Sequence, residues 1–239
     1  MKAVLNAVDD FASSFKIAAI LSLPALLGIL LSIVVARPTY LSFGSLFLRT
    51  SDILSMNALD FVLSLIIVVV ASALLATTLI LVSLLVKKGR IRTSLTQSKI
   101  RKALNTNIVP ITAFYIIFFA FNFTMQTISL ALPLLPIIHI ISLISYAVLF
   151  FLPYALVIDD YDVFTALYKS VKLSIKAPSR IVIWLSVIFI LLVLSHAILT
   201  LVLPYAIAQF LSFIVASLVI LPFSIILASH LYMDRYPLS

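Results

Sequence analysis

The sequence predicts an all-α, polytopic integral membrane protein with six transmembrane helices in three hairpins. Three observations carry that reading. Of the 239 residues, 64% are apolar and only 10% are charged, against about a quarter charged in soluble domains. A soluble fold could not cover that apolar surface with so few charges, so lipid must solvate part of it. Two long runs, Ile108 to Ile158 and Ile181 to Met233, hold no formally charged residue. Basic residues gather in segments separated by pairs of apolar stretches.

The elements follow in chain order. In residues 1–14, Val4, Val8, Phe11 and Phe15 fall on one helical stripe with Asn6, Asp9, Asp10 and Ser13 off it, the pattern of a short helix lying at the interface. Ile17 to Val35 is the first span, with Pro24 inside it. Val34-Val35-Ala36 loosely resembles a signal-peptidase site, but the run is too long for an h-region and acids precede it, so an uncleaved anchor is expected. Arg37 to Asp60 is a polar connection. Phe61 to Val86 is the second span, longer than a hydrocarbon core of roughly 30 Å requires.

The segment Lys87 to Asn107 reads as a basic loop, with seven cations (Lys87, Lys88, Arg90, Arg92, Lys99, Arg101, Lys102) and no acid. The uncharged run after it suits two crossings, 109–132 and 137–158, turning at Pro133 and Pro136. Asp159 to Arg180 is an amphipathic inner helix. Asp159, Asp160 and Asp162 lie at its start and Lys169, Lys172 and Lys176 toward its end, the favourable sense for the helix dipole. Phe164, Leu167, Val171 and Ile175 form its apolar stripe, and Pro178 ends it or opens the next helix. Spans five and six follow, turning at Pro204.

With the N-terminus inside, 14 of 16 Lys and Arg fall on the inner side. The positive-inside rule therefore predicts a multi-pass cell-membrane protein with both termini cytoplasmic. Residues 1–239 form one membrane domain with a weak repeat, 1–86, 87–158 and 159–239. Pro136 to Pro153 is 17 residues and Pro204 to Pro222 is 18, and Pro153 and Pro222 should kink their helices. With three glycines in the chain, close helix approach must come from Ala and Ser instead of GxxxG.

Pro153, Asp159 and the run Ala166-Leu167-Tyr168-Lys169-Ser170-Val171-Lys172-Leu173 resemble a six-span membrane domain. That domain is fused to some glycerophosphodiester phosphodiesterases and occurs in many uncharacterised prokaryotic membrane proteins. The resemblance covers the inner link between spans four and five, and elsewhere only the layout. It implies a six-span domain and no particular chemistry. The phosphodiesterase domain is not in this sequence, so its activity does not carry over.

Asn122, Gln126, His139, His196 and Gln209 are the polar residues of spans three to six that invite a function. Gln126, His139, His196 and Gln209 share the outer half of the bilayer, and polar groups at that depth usually face helices or water. They either line an outward pocket or make isolated interhelical hydrogen bonds of roughly 0.6 kcal/mol each. A metal needs at least three good ligands; His139 and His196, with Asp60, lack a ligand spacing, so no metal and no cofactor is expected. The chain has no cysteine and no GxSxG, and no mid-span Asp to orient a histidine. Thiol chemistry is excluded and acyl transfer has no support.

The basic segments, with Lys169, Lys172, Lys176 and Arg180, are expected to meet anionic inner-leaflet headgroups, at about 1 kcal/mol per cation near the surface. Nucleic acid has no support beyond charge, since no aromatic interleaves residues 87–107. A protein partner or a second copy of the chain fits a membrane component. The reading is a non-enzymatic scaffold or accessory component, with a transporter or channel subunit as the alternative and an enzyme third.

Overall fold

The computed structural model describes residues 2–34, 42–43, 46–47, 58–91, 96–131 and 135–234. The chain is an all-α polytopic membrane protein. Its helices are α1 (Lys2–Leu21), α2 (Leu23–Val34), α3 (Ala58–Ile91), α4 (Gln97–Ala131), α5 (Leu135–Leu149), α6 (Leu152–Asp159), α7 (Val163–Lys176), α8 (Pro178–Val202), α9 (Tyr205–Val215) and α10 (Leu221–Met233). A π turn, Ala216–Ile220, joins α9 to α10. Ser42–Phe43 pairs antiparallel with Leu46–Phe47.

Five stretches among the described residues are long and apolar enough to cross a membrane: Leu65–Gly89, Gln97–Met125, Ile140–Asp159, Pro178–Val202 and Ile207–Met233. They match the second to sixth predicted spans. The first predicted span, 17–35, divides at Ser22 into the end of α1 and the whole of α2. Pro24 has no N–H to donate, and the residue before a proline resists the helical region. Ser22 Oγ donates to Ala18 O at 2.9 Å, and Thr78 Oγ1 of α3 accepts the Ala25 N–H at 3.1 Å. The broken helix end is therefore satisfied inside the bundle.

Two expectations are revised. Residues 1–14 are not a separate surface helix. They are continuous with the start of the predicted span, and α1 packs along α10. Its buried positions are Ala3, Ala7 and Ala18; of the predicted stripe, Val8 and Phe15 are exposed whereas Val4 and Phe11 pack against the core. Small side chains let two backbones approach, and Phe11 meets Phe223 of α10 edge to face at 5.4 Å. The segment 87–107 is not mainly a loop either: α3 continues to Ile91 and α4 starts at Gln97. Lys and Arg are good helix formers, so a run of them does not end a helix.

Helix α3 is the central element, touching α1, α2, α4, α6 and α10. Half of its most apolar stretch is buried, as for the stretch ending in α10, against 17% for α4 and α8. α3 and α10 are thus the core, and α4 and α8 turn most of their apolar surface outward. Against α2, the approach is close: a Cβ on Gly28 would lie 3.4 Å from Ala71 Cα.

The two prolines expected to kink their helices lie at irregularities of different kinds, an interruption at Pro153 and a π turn within a continuous helix before Pro222. α5 stops at Leu149, and Phe150 and Phe151 form a turn before Pro153 at the start of α6. Ahead of Pro222 the helix widens, and the Leu221 N–H reaches Ala216 O, five residues back. A proline crowds the carbonyl four residues behind it, and a π turn relieves that crowding by shifting the register.

Candidate functional site

Polar side chains concentrate at one end of the bundle, where α1, α3, α6, α8 and α10 meet. His230 Nε2 and Asp10 Oδ2 lie 2.8 Å apart, with the His230 side chain buried. Tyr232, itself fully buried, donates its hydroxyl to Asp159 Oδ2 at 2.6 Å. Lys87 Nζ pairs with Asp160 Oδ2 at 2.9 Å and lies 3.4 Å from Val157 O. Arg180 Nη1 donates to Leu231 O at 2.9 Å, and its Nη2 lies 3.8 Å from Asp234 Oδ2. Lys87 and Arg180, both expected at lipid headgroups, are therefore engaged by carbonyls and carboxylates of the protein.

Helix α7 lies beside this end and has three faces. Asp162 caps its start by accepting the Thr165 N–H at 3.1 Å. Hydrogen bonding from the Thr165 side chain first, and then from backbone N–H groups, holds the Asp162 carboxyl below the usual carboxylate range. Asp160, with φ of 55°, occupies the left-handed conformation that ends α6 and turns the chain into α7. Ala166, Ser170 and Ser174 form the buried face. The Ser170 and Ser174 hydroxyls donate to Val148 O at 2.9 and 3.3 Å, capping the last turn of α5 where Pro153 interrupts the span.

Of the predicted apolar stripe of α7, Phe164, Leu167 and Ile175 are exposed and Val171 is half-buried, and Tyr168 joins the outward face. Phe164 is 83% exposed, Ile175 69% and Tyr168 61%. The basic face adjoins it. Lys172 and Lys176 are exposed, and Lys169 and Lys172 sit over the Tyr161 and Tyr168 rings at 5.9 and 5.6 Å. Lys88, Lys99, Arg101 and Lys102 are also exposed. The side chains of Arg90 and Arg92 lie outside the described residues.

The outer polar set is not joined by any hydrogen bond among its described members. Asn122 Nδ2 donates to Phe118 O of its own helix at 2.8 Å. His196 Nδ1 lies 3.1 Å from Ser212 Oγ, which gives its own proton to Ala208 O at 2.7 Å. Nδ1 is thus the protonated donor, and the bond ties α8 to α9. Gln209 Nε2 donates to Tyr205 Oη at 2.7 Å. The side chains of Gln126 and His139 lie outside the described residues, as does Asp60.

The end-layer pairs were not foreseen. Asp10 and His230 are 220 positions apart, and no local pattern in the sequence pairs them. An aromatic cluster also escaped notice: Trp184 lies 4.7 Å from Phe150 and 6.4 Å from Tyr146 between ring centroids. Comparison of the chain with family profiles, curated proteins and solved structures finds no match.

Proposed function

We propose that this chain is a non-enzymatic component of a membrane assembly, a scaffold or accessory subunit, with α7 lying in the headgroup region of the inner leaflet. The observation that carries this reading is the division of α7 into three faces. A small-residue face holds it to the bundle, while Phe164, Tyr168 and Ile175 are exposed beside Lys172 and Lys176. A helix so divided buries its apolar face in the acyl boundary and keeps its ammonium groups among anionic headgroups. The distribution of Lys and Arg supports cytoplasmic termini. The resemblance to the six-span domain supports the same class and adds no chemistry.

A transporter or channel subunit is the second reading. It is favoured by His196 and Gln209, which are exposed on helices that cross the membrane, where polar groups usually meet water or another helix.

The cysteine-free chain permits single-site spin labelling. A nitroxide at Phe164→Cys in anionic vesicles should be reached by oxygen and shielded from a water-soluble relaxant. The reverse would remove α7 from the interface. Cross-linking in native membranes should capture a discrete partner or a second copy, and Phe164→Asp with Ile175→Asp should weaken that capture. Ion or lipid flux in proteoliposomes above that of empty vesicles would favour the second reading instead.

A further inference from the structure

A groove of about 200 Å³ opens beside the Asp10–His230 pair, lined by Asp10, Ser13 and Ser14 of α1, Leu85, Val86, Lys88 and Gly89 of α3, and Ile226 of α10. Its polar lining is sorted by hydrogen-bonding sense. Ser13 and Ser14 both give their hydroxyl protons to the Asp10 carbonyl, so their oxygens remain as acceptors. The Asp10 carboxylate is 44% exposed although it also accepts from His230. Lys88 contributes one exposed ammonium. Leu85, Val86 and Ile226 make the rest apolar.

Three acceptor groups with one cation describe the complement of a zwitterion. We infer that this groove binds a primary-ammonium phosphodiester headgroup, as in phosphatidylethanolamine. The ammonium would meet Asp10, Ser13 and Ser14, and the phosphate would meet Lys88. The three N–H bonds of a primary ammonium match the three acceptors, whereas a trimethylammonium has no proton to donate. The apolar lining suits the glycerol and first methylenes of a lipid. The same headgroup chemistry exists in free phosphoethanolamine, so the source is a matter for experiment. This site lies on α1, α3 and α10 and does not depend on the reading of α7.

Gly89 supplies a clean obstruction. A Cβ there meets only Asp10 Oδ2, at 4.0 Å, so a larger side chain enters the groove without displacing backbone. Detergent-solubilised protein is titrated with short-chain phosphatidylethanolamine and, in parallel, phosphatidylcholine, and bound lipid is counted by native mass spectrometry. The ethanolamine lipid should bind about tenfold more tightly than the choline lipid, the scale of one hydrogen bond to a charged group. Gly89→Leu should remove most of the ethanolamine-lipid binding and with it the preference, whereas Lys88→Gln should weaken both lipids alike, because both carry the phosphate that Lys88 meets. Lys88 is exposed, so its variant carries the test if Gly89→Leu lowers the melting temperature. Competition by free phosphoethanolamine would mean that the headgroup alone suffices, and failure to compete would mean that the lipid is required. Equal binding of the two lipids, or an affinity for the ethanolamine lipid unchanged in both variants, overturns the proposal.

Discussion

Tyr232 and Asp159 are joined by a 2.6 Å hydrogen bond between the last turn of α10 and the last residue of α6. The Tyr232 ring is fully buried and lies 5.9 Å from that of Phe151 at the proline break. Tyr232→Phe keeps the ring and removes the donor. It should cost about 1.5–3 kcal/mol, the range for hydrogen bonds to charged groups. Thermal unfolding in detergent reads the loss. Combining it with Asp159→Asn should cost less than the sum of the two single changes, because both remove one interaction.

Thr78 should matter more than its neighbour. Thr78 Oγ1 is the acceptor for the Ala25 N–H, whereas Thr77 Oγ1 donates to Ala73 O within α3. Thr78→Val preserves shape and leaves a buried N–H unpaired, at about 1–3 kcal/mol. Thr77→Val should be near neutral. Equal effects on melting temperature would show that the α1–α2 break does not rely on Thr78.

Trp184 anchors α8 to the core. Its indole Nε1 donates to Ser224 O at 2.9 Å while its ring meets Phe150 and Tyr146. Trp184→Ala should cost about 3–5 kcal/mol. Trp184→Phe should cost less, retaining ring contact and losing the donor. As the chain has one Trp, its fluorescence reports unfolding directly in the other variants.

The cap of α7 should fail in acid. The Asp162 carboxyl is held below its ordinary value of 3.8, first by hydrogen bonding from the Thr165 side chain and then from backbone N–H groups. A lowered carboxylate stabilises the folded state above its unfolded value, and that stabilisation is lost as pH falls through the folded value. The start of α7 should therefore loosen only below about pH 4, near the reference carboxylate value. Asp162→Asn should flatten that pH dependence. A spin label at Phe164→Cys would show the mobility change.

The parts of the fold legible in the sequence are those where one residue's covalent chemistry decides the outcome. Pro153 opens α6 after a turn, Pro222 follows a π turn in an otherwise continuous helix, and Pro178 opens α8 because its missing N–H costs nothing at a helix start, although Pro110 sits inside α4 without ending it. The acids and lysines around α7 marked both of its ends. What stayed hidden depends on partners distant in the chain. Asp10 and His230 are separated by 220 positions, and no local pattern distinguishes a paired aspartate from a solvated one. The basic segment misled in the other direction. Its charge located it at a membrane surface, but charge does not set whether a backbone is helical, and α3 and α4 extend into it. For the polar residues of spans three to six, mutual contact was not readable. His196 bonds Ser212 sixteen positions away, a pairing that requires knowing how α9 folds back on α8.

The seam beneath α7 has a mechanical consequence. Ser170 and Ser174 fasten this helix to Val148 O, the carbonyl beside the joint between α5 and α6. In the placement proposed for α7, whatever pulls sideways on it, whether crowding in the leaflet or the drag of a bound partner, loads that joint. Lateral stress on the membrane surface thereby reaches the interior of a crossing helix through two hydroxyl groups.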